Sequence, residues 1–273
     1  MNASSTLPLS ITGLMPEIIR VATDAGREIL EIYNSGFSIE HKDDKSPLTT
    51  ADTASHNTIC SYLSRLTPRI PILSEESSSI AFAARKSWNQ YWLIDPLDGT
   101  REFIKRNGEF TINIALIENH QPVLGVVHVP VTGITYYASK DHGAWKQTNT
   151  ETPIAIKTRS ANVNRLAVAG SRSHGSDRQQ KFFEQLGNIE VYAIGSSLKF
   201  CLVAEGIVDI YPRFGPTSEW DTAAAQCIVE EAGGIVTDEE LNPLLYNSKE
   251  SLLNPNFLAI GDKHFDWRPY LLE

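Results

Sequence analysis

Basic residues are in the minority in this chain of 273 residues: 24 Lys and Arg stand against 33 Asp and Glu, a formal net charge of −9. That balance argues against a nucleic-acid binder, whose affinity rests on a basic surface. It leaves small anionic substrates open, because a bound cation reverses the local sign. Cysteine is scarcer still. Cys60, Cys201 and Cys227 are odd in number and far apart, so they offer neither a disulfide framework nor a zinc spacing, and reduced, mostly buried thiols are expected. Long apolar runs are also missing. The longest charge-free stretch, residues 119–139, contains two prolines and two histidines, which is strand and turn chemistry, not a membrane span. The opening MNASSTLPLSITGLMPEIIR has no basic segment followed by an apolar one, so no secretory signal is expected and a cytoplasmic location is. There is no internal repeat and no low-complexity segment.

What is present is ordinary for a globular protein, 41% hydrophobic and 21% charged, with enough length for one large domain or two smaller ones. Ile11, Leu14, Met15, Ile18, Ile19, Ala22, Ile29 and Leu30 recur at helical spacing and predict an amphipathic first helix that Gly36 ends. EHKDDKSPL then reads as a mobile loop. A second helix is expected to begin near Asp52, carry Ile59, Tyr62, Leu63 and Leu66, and stop at Pro68. RIPILSEE reads as a short buried strand that runs out into Glu75 and Glu76. EFTINIALI, PVLGVVHV and GITYYAS predict three consecutive antiparallel strands. From about residue 160 the pattern changes to alternating α/β units: NRLAVAG, a helix near 177–186, EVYAIG, a helix near 197–205, then GIVDIYP. A last helix, DTAAAQCIVEEAGG, precedes IVTD and FLAIG. The boundary falls in the polar KQTNTETP, which divides the chain into residues 1–155, an α+β part, and 156–273, an α/β part.

Three places carry acidic residues where an apolar element ends: Glu75 and Glu76, Asp95 and Asp98, and Asp221. Singly, each has a plain structural explanation as a solvated pair, a turn or a helix cap. In YWLIDPLDGTREF, however, Asp95 follows the buried Trp92-Leu93-Ile94, Pro96 fixes the backbone, and the Leu97 carbonyl can point the same way as both carboxylates. Like charges held this close need a proton or a cation between them. Carboxylate and carbonyl oxygens with no Cys or His cluster select a hard ion, Mg²⁺ before Ca²⁺ or Mn²⁺. The spacing is not that of a calcium loop. Gly99 and Thr100 open a short helical turn directly after Asp98, so free N–H groups there would face an anion beside the metal, which suits metal-assisted phosphate hydrolysis.

DPLDGT, preceded by SEE and followed by EWDTAAAQCIVEEAGG, resembles the inositol monophosphatase superfamily of Mg²⁺-dependent, lithium-sensitive phosphatases. The likeness spans about residues 18–261, with twenty positions from Glu75 to Asp95. Within the superfamily, DGTREFIKRNGEFTINIALI is most similar to the bacterial 3′(2′),5′-bisphosphate nucleotidases of the CysQ type, where an inositol monophosphatase would read closer to DGTTNF. The resemblance implies a layered αβαβα sandwich. It implies that Glu75, Asp95, the Leu97 carbonyl, Asp98 and Asp221 hold two or three Mg²⁺ ions and that Li⁺ inhibits. Asp52, in LTTAD, would act with Thr100 to activate water. Substrate would be met by Glu75, Leu97, Asp98, Gly99, Thr100 and Asp221, by His174 of SRSH, and by Gly195, Ser196 and Lys199 of GSSLK, with Arg213 a weaker candidate. The implied activity is hydrolysis of adenosine 3′,5′-bisphosphate to AMP in the recycling steps of sulfur assimilation, with the 5′-phosphosulfate as a second substrate. Neither nucleic acid nor a protein partner is implied, and peripheral attachment to the cytoplasmic membrane face is compatible with the family. Alternatives are an inositol monophosphatase or other sugar phosphatase of the superfamily, a nucleotide-binding protein without catalysis, or a haloacid-dehalogenase-type phosphatase. The last uses aspartates two apart, not three.

Overall fold

The computed structural model describes residues 10–35, 39–41, 47–171 and 177–271. Helices α1 (Ile11–Ser35) and α2 (Thr50–Leu66) flank a short antiparallel pair, β1 (Ile39–His41) and β2 (Pro47–Thr49), where the sequence predicts only a loop. β3 (Ile72–Ser74), a 3₁₀ turn (Glu75–Ser77) and α3 (Phe82–Arg85) lead to β4 (Gln90–Asp98) and α4 (Thr100–Ile104). A meander follows: β5 (Thr111–Glu118), β6 (Gln121–Val129), β7 (Ile134–Ser139), β8 (Ala144–Thr148) and β9 (Ile154–Ile156). The remaining elements are β10 (Leu166–Ser171), α5 (Asp177–Leu186), β11 (Ile189–Ile194), α6 (Leu198–Ala204), β12 (Ile210–Arg213), α7 (Glu219–Glu231), β13 (Ile235–Asp238) and β14 (Phe257–Ile260).

Strands β3 to β9 form a seven-stranded sheet in sequence order, antiparallel except for the β3–β4 pair. The three strands expected from their apolar runs are its β5, β6 and β7. Its far edge, β8 and β9, lies within and around the polar KQTNTETP that the sequence reads as a boundary. β8 ends on the polar Lys146-Gln147-Thr148 and the edge strand β9 is only three residues long, so neither shows a strand period in the sequence. The second sheet has five strands in the order β11-β10-β12-β14-β13 and mixes parallel and antiparallel pairs.

Both sheets are covered on both faces, and the two-residue period of a strand sorts their side chains between separate cores. Along β4, Tyr91 and Leu93 join the core shared by the two sheets, while Trp92 and Ile94 join the core under α1 and α2. Along β10, Ala167 and Ala169 face the shared core, and Leu166 and Val168 face an outer one with Phe182 of α5 and Trp267. The result is five layers, helix–sheet–helix–sheet–helix, with α6 and α7 in the middle. Alanines dominate the buried face of α7 (Ala223, Ala224, Ala225), so it sits very close to the large sheet. A side chain at Gly125 of β6 would place its Cβ 2.2 Å from the Ala224 carbonyl oxygen, so this position accepts only glycine. Cys201 and Cys227 are buried, Cys60 is half-buried, and all three are free. Among the described residues no helix is long and apolar enough to cross a membrane.

Candidate active site

Strand β4 does not end at Asp95, as the sequence suggests, but runs on to Asp98. Two residues three apart on a regular strand point to opposite faces. Here Asp95 pairs with Asn113 and Asp98 with Thr111, so three steps on β4 span two on β5. This bulge re-aims Asp98 toward the same side as Asp95. Pro96, which has no N–H to contribute to a ladder, sits within the bulge, and Ser55 of α2 donates to its carbonyl at 2.8 Å. Asp95 Oδ1 accepts the Leu97 N–H at 3.0 Å and so closes the turn locally. Gly99 then takes φ +92°, and a Cβ there would lie 3.1 Å from the Glu109 carbonyl oxygen and 3.2 Å from Ser196 Cβ.

The other two aspartates arrive on helix starts built alike. Thr49-x-x-Asp52 opens α2 and Ser218-x-x-Asp221 opens α7, each as a capping box. Thr49 N–H and Oγ1 donate to Asp52 Oδ2 at 2.8 and 2.6 Å, and Ser218 N–H donates to Asp221 Oδ2 at 2.8 Å. In Asp52 the other oxygen, Oδ1, accepts from Thr100 Oγ1 at 3.3 Å, and the same hydroxyl lies 3.4 Å from the Leu97 carbonyl. Cap and functional candidate are therefore one group, and the [Ser/Thr]-x-x-Asp spacing is the signal that would have singled out Thr49 and Ser218.

Asp95, Asp98 and Asp221 bring ligand oxygens within 4.8 Å of one another. Glu75 hydrogen-bonds Asp95 from the start of the 3₁₀ turn and adds to its electrostatic load. Burial, then the neighbouring carboxylates, push Asp95 well above the ordinary carboxyl range, and burial followed by Asp98 and Glu75 raises Asp221 to about 8. Asp98 is raised by burial too, partly offset by the Lys199 ammonium, the Ser197 N–H at 2.5 Å and Asn113. An all-oxygen set that repels itself this strongly fits a hard divalent cation. Raised folded-state values mean that the metal-free fold is favoured with these groups protonated. It loses that advantage as pH climbs toward about 8, where Asp221 ionises. Mg²⁺ should therefore raise the melting temperature more at about pH 8 than at about pH 6.5, measured as the shift between EDTA and saturating Mg²⁺ at each pH. Comparing shifts cancels His128, whose burial holds it at about 4 and whose contribution runs the opposite way. A shift of equal size at both pH values would contradict the reading of the cluster as a cation seat.

A cavity of about 280 Å³ opens over these groups, and its lining includes Glu75, Asp98, Gly99, Thr100 and Asp221 together with Gly195, Ser196, Ser197, Lys199, Tyr211 and Arg213. Lys199 is buried, donates to the carbonyls of Ser196 and Ile194 at 2.6 and 3.4 Å, and lies 5.2 Å over the Tyr211 ring. Burial lowers its ammonium to about 8, with Asp98 opposing. It is thus as much a brace for its own loop as a group facing the cavity. Arg213 emerges as the stronger anion-binding candidate: its Nε is buried with no hydrogen-bond partner among the described residues, and Nη2 reaches the Pro216 carbonyl at 3.2 Å. Glu76 stays beside the cluster near His56, and His174 lies outside the described residues. Ser197 lies in the GSSLK stretch that the sequence singles out and Asn113 in the EFTINIALI strand, but sequence reasoning missed their role: Ser197 Oγ meets Asn113 Oδ1 at 2.8 Å because β5 and the start of α6 converge on Asp98.

Fold and site together define a metal-dependent phosphatase class, and the chain belongs to it: the profile of the inositol monophosphatase family matches residues 14–264. Within that family, the chain is 48% identical over 246 residues to the 3′(2′),5′-bisphosphate nucleotidase CysQ of Salmonella typhimurium, covering 89% of this chain and 98% of that protein. The crystal structure of CysQ from Bacteroides thetaiotaomicron superposes with a TM-score of 0.79 at 40% identity, covering 92% of this chain and 97% of that one. The Thermotoga maritima IMPase shares the fold at a TM-score of 0.74 and 27% identity, over 90% and 91% of the two chains.

Proposed function

We propose that this chain is a Mg²⁺-dependent 3′(2′),5′-bisphosphate nucleotidase that hydrolyses adenosine 3′,5′-bisphosphate to AMP and phosphate. The observation that supports it most is the mixed lining of the cavity, which holds carboxylates and Thr100, backed by Asp52, together with the cations Lys199 and Arg213; we assign the first set to a hydrolytic wall and the second to a substrate wall. A monophosphate uses the first wall only, whereas a bisphosphate engages both. Glu75, Asp95, the Leu97 carbonyl, Asp98 and Asp221 would hold the Mg²⁺ ions, two or three in number. Bound there, Mg²⁺ supplies charge neutralisation and a water of lowered pKa. Thr100 donates its own proton to Asp52 and so keeps a hydroxyl lone pair for the attacking water, whose proton passes through Thr100 to Asp52. Water oxygen bonds to phosphorus, the bond from phosphorus to the 3′-oxygen breaks, and that oxygen leaves as the ribose hydroxyl by taking a proton from solvent water, while Asp52 returns its proton to solvent. Li⁺, small and hard, competes for the same oxygens and inhibits.

Adenosine 3′-phosphate 5′-phosphosulfate offers the same 3′-group and is proposed as a second substrate, which places the enzyme in cytoplasmic sulfur-assimilation recycling. The test is product identity: with Mg²⁺, adenosine 3′,5′-bisphosphate should yield phosphate and 5′-AMP, whereas 3′-AMP as product would reverse the assigned orientation. Arg213→Ala should lower kcat/KM for the bisphosphate by roughly ten- to a hundredfold, the worth of one charged hydrogen bond of about 1.5–3 kcal/mol, and spare 3′-AMP. Lys199→Ala should lower both, the bisphosphate more, because the loop loses its brace. Equal losses on both substrates for Arg213→Ala would remove it from the non-scissile phosphate.

A further inference from the structure

The loop carrying Gly195, Ser196 and Lys199 is strained and is held from outside. Ser196 has φ +48°, a left-handed conformation that a non-glycine residue keeps only when its surroundings impose it. Three fastenings impose it here. Ser197 N–H donates to Asp98 Oδ2 at 2.5 Å, and Lys199 Nζ bridges the carbonyls of Ile194 and Ser196. The third comes from another part of the chain: Gly195 N–H donates to Glu109 Oε2 at 2.8 Å. The loop also rests directly on the Glu102–Glu109 segment. A Cβ at Gly195 would lie 2.8 Å from both Glu102 Cγ and the Glu109 carbonyl oxygen. Glu102 and Glu109 both belong to DGTREFIKRNGEFTINIALI, the stretch whose resemblance is to the bisphosphate nucleotidases.

We propose that Glu109 is a specificity-determining positioning residue, whose carboxylate holds the Gly195–Lys199 loop where Ser196 and Lys199 meet the non-scissile phosphate of the nucleotide. The proposal rests on the nucleotidase reading above. Glu109 is not among the residues lining the cavity, and its Oε2 accepts the Gly195 N–H at the start of the loop that carries Ser196 and Lys199. Its loss therefore loosens the substrate wall and leaves the hydrolytic wall in place. The Ser197–Asp98 bond still ties the other end of the loop to the cluster.

The experiment compares wild type, Glu109→Ala, Glu109→Gln and Gly195→Ala in Mg²⁺, measuring kcat and KM for adenosine 3′,5′-bisphosphate and the inhibition constants of 5′-AMP and inorganic phosphate. Glu109→Ala should raise KM and the 5′-AMP constant about tenfold, with kcat and the phosphate constant within about twofold of wild type. Glu109→Gln keeps an oxygen acceptor for Gly195 N–H and should restore both values. Gly195→Ala pushes the loop off the same seat and should likewise raise KM and the 5′-AMP constant, a second route if Glu109→Ala folds poorly. A fall in kcat at unchanged KM, a parallel rise in the phosphate constant, or a Glu109→Gln variant as impaired as Glu109→Ala would overturn the proposal. A wild-type protein that releases no phosphate from the bisphosphate would instead overturn the nucleotidase reading.

Discussion

Asp98→Asn is expected to abolish turnover while leaving the fold intact, with a fall in kcat on the order of 10³-fold or more, about 4 kcal/mol of transition-state stabilisation. The position explains the size. Asp98 shares the oxygen cluster with Asp95 and Asp221, lines the cavity, and fastens the substrate loop through Ser197 N–H. Asparagine keeps an oxygen for that N–H, so the loop survives and only the charge is lost. In the metal-free protein the same change removes repulsion among carboxyls already driven above their ordinary range, so thermal stability in EDTA should hold or rise. In Mg²⁺ the stabilisation seen for wild type should shrink. Wild-type turnover by Asp98→Asn would remove Asp98 from the metal-ligand set.

Asp52→Asn is expected to act on kcat and barely on KM, with a loss of about 10²–10⁴, the usual range for a positioned general base. Asp52 is buried, receives two hydrogen bonds from Thr49 on Oδ2, and presents Oδ1 to Thr100. A group built this way has one task in the site, to take the proton that Thr100 passes on. Thr100→Ala should lose a similar factor, and the double variant should be little worse than either single one, because the two act as a unit. Losses that multiplied would show that Asp52 and Thr100 contribute independently.

Much of this architecture can be read from periodicity. The helical spacing of Leu14, Ile18, Ala22 and Ile29 became α1, and the apolar runs at 111–118 and 121–129 became β5 and β6 because strands buried on both faces need no polar alternation. Strands β8 and β9 were invisible for other reasons: β8 runs into the polar Lys146-Gln147-Thr148, and β9 is only three residues long, too short to show a period. At the site, DPLDGT announces two carboxylates that crowd each other, yet the spacing alone leads to a strand ending at Asp95. Only pairing with β5 reveals the bulge that turns Asp98 inward, a long-range fact that no local pattern carries. The same holds for Arg213, which looks ordinary in the string IYPRFG but is half-buried at the end of β12, with a buried Nε that has no hydrogen-bond partner among the described residues where the strand meets the cavity. Asp52 and Asp221 lie between these cases: their capping spacing is legible, and their convergence is not.

The central claim is that one wall of the cavity performs hydrolysis and the other selects a nucleotide bisphosphate. It is tested most directly by kcat/KM for adenosine 3′,5′-bisphosphate, inositol 1-phosphate and fructose 1,6-bisphosphate, measured side by side with Mg²⁺ and with EDTA. Mg²⁺-dependent hydrolysis is expected, with adenosine 3′,5′-bisphosphate preferred by at least about a hundredfold, the combined worth of two charged contacts from Lys199 and Arg213. Equal or better turnover of inositol 1-phosphate, or phosphate release that persists in EDTA, would contradict it.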